Sequence, residues 1–133
     1  MYSLRKSKKG FTLIELMVVV AIIGVLALLG LRLYTGQQQK AKNAIVKANA
    51  GTIQTLLQAE LADAAFDTVS DKVDDGTLFI ASGIHIPDGT TQTANGTDVA
   101  GEVVVDTSGE VFLINGNSFS TGDVYTDPLT ARK

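Results

Sequence analysis

The sequence predicts an α+β chain in which one long N-terminal helix packs on a small antiparallel β-sheet. Residues 11–31 form an almost unbroken apolar run. Residues 32–66 contain no Pro and carry apolar residues at roughly helical spacing. Beyond residue 67 the pattern breaks into short β-prone runs separated by Gly, Asp, Asn and Thr. Four stretches follow: residues 1–10, a basic tip; 11–31, a membrane-length helix; 32–66, its amphipathic continuation; and 67–133, a small acidic head.

The tip holds Arg5, Lys6, Lys8 and Lys9, which predicts a cytoplasmic N-terminus for a spanning segment. The run over 11–31 has the length a helix needs to cross a hydrocarbon core, at about 1.5 Å per residue. A secretory signal peptide is the simpler alternative. The run is long for such a segment, whose apolar region covers about 7–15 residues. Leu31-Arg32-Leu33 offers no small-x-small cleavage site, and Glu15 sits near the start of the run. An acid at mid-membrane costs on the order of 2.5–3.5 kcal/mol, and less near an interface. Glu15 therefore either lies shallow among headgroups or awaits a cationic partner in an assembled state.

The residues Lys9-Gly10-Phe11-Thr12-Leu13-Ile14-Glu15-Leu16 resemble the type IV prepilin signature, and residues 17–29 extend the resemblance. It covers about the first thirty residues closely and the next helical stretch loosely. It implies cleavage after Gly10 by a membrane-embedded prepilin peptidase and N-methylation of Phe11 as the new first residue. It also implies that Glu15 is the assembly glutamate, which pairs with the N-terminal amine (on Phe11) of a neighbouring subunit. One departure stands out: where many pilins carry Ile-Pro-x-Tyr, this chain has Leu31-Arg32-Leu33-Tyr34. Without the helix-breaking proline the helix is expected to run straighter, although Gly24 and Gly30 weaken it.

In the continuation, Ala41, Ile45, Ala48, Ile53, Leu56, Leu57, Leu61 and Ala64 approximate an apolar stripe. Extended to residue 66 the helix would be about 80 Å long. Residues 67–76 are acidic and turn-rich and are expected to end it. Strands are expected at 77–80, more weakly at 84–86, then at 99–106 and 110–115, with a last edge strand at 124–126. Asp106-Thr107-Ser108-Gly109 reads as a hairpin turn, and 88–98 as a surface loop. This architecture agrees with the pilin fold that the signature implies.

Charge divides the chain. Arg32, Lys40, Lys42 and Lys47 follow the apolar run without an acid among them, whereas residues 60–127 hold thirteen acids against Lys72 alone. Opposite charges on helix and head can steer subunit docking; equally, both faces can simply be wet. An acidic head does not suit binding to a nucleic-acid backbone. There is no Cys, so disulfides are excluded. No phosphate loop, nucleophile elbow, catalytic carboxylate pair or zinc pattern is present, so the chain is not expected to be an enzyme. His85 lacks a second His or any Cys to share a metal with. Two oxygen-rich groups, Asp71/Asp74/Asp75 and Asn115/Asn117/Asp123, leave Ca²⁺ as a minor alternative to no cofactor at all. Asn95-Gly96-Thr97 matches a glycosylation pattern, or only a turn.

The favoured reading is a type IV pilin: stored in the cytoplasmic membrane with its N-terminus inside, then polymerised with copies of itself into an extracellular filament. The resemblance implies as partners the prepilin peptidase, an assembly platform and an external ATPase motor. A pseudopilin of a secretion or competence system, in a periplasm-spanning pseudopilus, shares the signature. The missing Ca²⁺ loop tips the balance towards the pilus. A membrane-anchored binding module is the alternative of another class, and it leaves Glu15 unexplained.

Overall fold

The computed structural model describes residues 10–97, 99–120 and 122–133. The basic leader residues Arg5, Lys6, Lys8 and Lys9 lie outside the described residues. Helix α1 (Leu13–Asp63) is followed by α2 (Phe66–Asp74) and α3 (Thr77–Ser82). Three strands then form an antiparallel sheet in the order β1 (Val103–Ser108), β2 (Val111–Gly116) and β3 (Leu129–Arg132). The chain divides into two compact units, Met1–Gln37 and Gln38–Lys133, and α1 contributes to both. Every described residue of the first unit is exposed.

The second unit has a single apolar core. Helix α1 supplies Ala50, Ile53, Leu57 and Leu61, each three or four residues from the last and so on one face. Val69 and Val73 come from α2, Leu78 and Phe79 from α3. Alternate sheet residues complete it: Val103 and Val105, Phe112 and Ile114, and Ala131. The Phe66 and Phe112 rings stack with centroids 4.5 Å apart. Burying each large side chain contributes about 1.5–3 kcal/mol. Gly116 lets β2 approach α1, because a Cβ there would collide with Val46 Cγ1.

Several local expectations are corrected. The buried stripe of α1 starts at Val46, not Ile45, which is 43% exposed; one residue of offset turns a helical position by about 100°. Ala41 and Ala48 are exposed for the same reason. Residues 67–76, read as a turn, are mostly α2: their acids face water while Val69 and Val73, four apart, face the core. Asp67 in its first turn and Lys72 in its last suit the helix dipole. Residues 77–80, read as a strand, belong to α3, which left-handed Gly76 and Gly83 bracket. Short apolar runs do not distinguish strand from helix.

The hairpin turn is Gly109-Glu110, with Ser108 paired to Val111. Gly109 takes φ 63°, at the position where a two-residue II′ loop favours glycine. Residues 106–108 therefore belong to β1. The last strand is β3, beyond Pro128 rather than before it. Residues 84–86 contribute only an isolated bridge from His85 to Thr91. His85 is exposed beside buried Ile84, as alternation requires.

Candidate functional site

The first turn of α1 carries the residues that the signature singles out. Thr12 precedes the helix and Glu15 is its third residue. The Thr12 N–H donates to Glu15 Oε2 at 3.0 Å, and the Glu15 N–H donates to Thr12 Oγ1 at 3.3 Å. This is a reciprocal capping box: each side chain satisfies a backbone donor that the helix start leaves unpaired. The Glu15 carboxylate also lies where the helix dipole favours negative charge. Gly10 and Phe11 precede the cap, and both are exposed, Phe11 by 83%. Sequence reasoning passed over the capping role of Thr12; the spacing Thr-x-x-Glu ahead of an apolar run was the signal for it.

Beyond the cap, the large apolar side chains from Leu13 to Leu33 are all more than half exposed. A continuous apolar surface of this kind calls for lipid or partner chains. By length and composition α1 is able to cross a membrane.

The head brings together little that could bind a metal. Among the described residues no three His, Cys, Asp or Glu side chains converge. Asp71, Asp74 and Asp75 lie on and just after α2, and the Asp75 Oδ1 accepts the Thr77 N–H at 2.8 Å. Hydrogen bonds from the Thr77 side chain first, and then from its backbone, hold the Asp75 carboxyl below its ordinary pKa. Asn115, Asn117 and Asp123 do share an open cavity of about 310 Å³ with Thr97, Val104 and Asp106. Both amides there are already engaged: Asn115 with the Tyr125 backbone, and Asn117 with the carbonyls of Thr97 and Val99. Asn95 is likewise engaged, donating to Val105 O at 2.7 Å and accepting from Val105 N at 2.8 Å.

A membrane-length apolar helix, capped through an acid and followed in the chain by a small α+β head, has the order of elements expected from the prepilin resemblance. Comparison with known proteins makes this specific. Residues 5–31 match the prokaryotic N-terminal methylation motif. The fimbrial protein EcpB of Eikenella corrodens is 44% identical over 53% of this chain and 44% of its own length. A type IV major fimbrial protein FimA of Dichelobacter nodosus is 34% identical over 74% of this chain and 62% of its own. The type IV major alpha-pilin of Moraxella bovis is 36% identical over 50% and 42%. The chain thus spans less than two thirds of each of these relatives. No solved structure shows a significant match.

Proposed function

We propose that this chain is a structural subunit of a type IV pilus: held in the membrane by the apolar part of α1, cut after Gly10, methylated on Phe11 and polymerised through that helix. The observation that carries the reading is the methylation motif over residues 5–31, which runs into a helix whose large apolar side chains from Leu13 to Leu33 are all more than half exposed. Prepilin peptidase would cut and methylate, and an assembly platform with an external ATPase would drive polymerisation. The precursor would cross the cytoplasmic membrane once, with its N-terminus inside.

Glu15 connects processing to assembly. Cleavage after Gly10 creates an amine on Phe11, a cation that the precursor lacks there. A carboxylate has about four lone-pair sites, and the cap on Thr12 uses one. The same group can therefore hold its own helix start and accept the amine of a neighbouring subunit. Buried among apolar helices, either charge alone is costly, so their pairing selects one register between subunits.

Glu15→Gln separates the two roles. Glutamine still closes a capping box but carries no charge. Removing one partner of a buried pair costs about 3–5 kcal/mol, about two to four decades in each subunit's association. The variant is expected to insert in the membrane normally and to give almost no sheared filaments. Wild-type filament yield from Glu15→Gln would contradict the role assigned to its charge.

A further inference from the structure

We propose that the head carries a head-to-tail docking surface for a second copy of this chain, in which the acidic face of α2 seats in a lysine-lined groove beside α1. The inference rests on the filament reading above.

The groove, about 310 Å³, lies between α1 and the 118–124 segment, and Lys40, Asn43, Ala44, Lys47, Ser118 and Asp123 are among its walls. Lys40, Ala44 and Lys47 follow one another at helical spacing and are exposed on one face of α1. The Lys47 ammonium lies 5.6 Å over the Tyr125 ring, and the half-buried Lys42 lies 4.9 Å over Phe119 beside the groove. Such contacts hold the cations at the groove rather than letting them sweep through solvent. Asp123 offsets one of the positive charges, and the surface stays net basic.

The acidic face is Asp67, Asp71 and Asp74, exposed on α2 opposite the buried Val69 and Val73. Its spacing copies that of the groove. Asp67, Asp71 and Asp74 stand at i, i+4 and i+7, as do Lys40, Ala44 and Lys47. Each stripe covers about 10 Å of helix. Among the described residues the one ion pair joins Lys72 to Glu60, so the three aspartates have no cation of their own in the head.

The two stripes stand apart within one chain. The pair between Lys72 and Glu60 holds α2 beside the last turns of α1, and Glu60 lies about 20 Å along the helix from Lys47. Opposite signs at opposite ends of one unit favour contact between copies, the α2 of one meeting the groove of the next. Such a heterologous contact propagates into an open filament when its rotation does not close a ring. Exposed pairs add little stability; this contact supplies steering and register, and weakens with salt.

The natural chain has no Cys, so an introduced pair gives a clean readout. With Ala44→Cys and Asp71→Cys in one full-length chain, mild oxidation of filaments is expected to give a covalent ladder of dimers, trimers and longer species. Each single variant is expected to give none. Filaments that form without a ladder, or single variants that cross-link to dimers, would overturn the proposal. A charge exchange provides the second arm. Lys40→Glu with Lys47→Glu, and Asp67→Lys with Asp74→Lys, should each cut filament yield, and their combination should restore it. No recovery in the combination would overturn the docking surface while leaving the filament reading intact. Absence of filaments from the wild-type chain would instead overturn both.

Discussion

Replacing Gln92 by Met probes how the head protects the open edge of its sheet. Strand β1 lies at an edge, paired on one side with β2, and Val103 and Val105 turn backbone groups away from that partner. Two side-chain amides take the place of a missing strand. Gln92 accepts the Val103 N–H at 2.9 Å and donates to Val103 O at 2.7 Å and Ala94 O at 3.0 Å. Asn95 does the same for Val105. Gln92 is only 4% exposed. Met keeps its length but cannot pair with the backbone. The Val103 C=O still accepts the Gly96 N–H, so the main cost is an orphaned Val103 N–H, about 1–3 kcal/mol, together with the net worth of the lost bonds. The total is about 2–4 kcal/mol. At about 4–8 °C per kcal/mol this lowers Tm by about 8–32 °C. Near-UV circular dichroism of the full chain in detergent follows the head through Tyr125, Phe66, Phe79, Phe112 and Phe119. A loss under about 0.5 kcal/mol, the size of an ordinary surface substitution, would refute the account of the edge.

Gly116→Ala should destabilise the head by about 1–3 kcal/mol through overpacking against the stiff Val46 side chain; adding Val46→Ala should return part of that loss, and additive effects in the same thermal assay would contradict the close approach. Asp75→Ala should lower stability at neutral pH. The folded-state pKa of Asp75 is depressed, so its contribution is present above its unfolded value, about 3.9, and is lost as pH falls through the folded value. The gap between variant and parent should therefore shrink in acid, and a gap independent of pH would count against the Thr77 hydrogen bonds as its source. Thr12→Val removes the cap acceptor and should cost about 0.5–2 kcal/mol of helix stability; hydrogen exchange of the Glu15 amide should speed up, and unchanged protection would argue against the capping box.

Much of this was legible in the sequence, and each failure has a physical cause. The long helix and its apolar half follow from an uninterrupted run that leaves no other structure available. The β1–β2 hairpin was visible as two β-prone runs around a glycine, but its turn was set too early. Thr107 and Ser108 continue the ladder, and Gly109 provides the positive φ. The second helix was missed because its acids suggested a loop, whereas those acids are the wet side of a short helix whose dry side is Val69 and Val73; the third was read as a strand because its short apolar run fits either element. Gln92 and Asn95, in a stretch read as surface loop, act through pairing with residues ten or more positions away, a relation that no local pattern records. At the candidate site Gly10, Phe11 and Glu15 stood out at once, since an acid in an apolar run is conspicuous. The cap on Thr12 was equally available and was masked by reading Glu15 for its charge alone.

The most direct test of the central claim is the intact mass of the protein taken from native membranes or sheared filaments. The account predicts a chain that lacks residues 1–10, begins at Phe11 and carries one added methyl group. An uncut chain, or one cut beyond the apolar run, would contradict it and leave the charge of Glu15 without the amine it is proposed to meet.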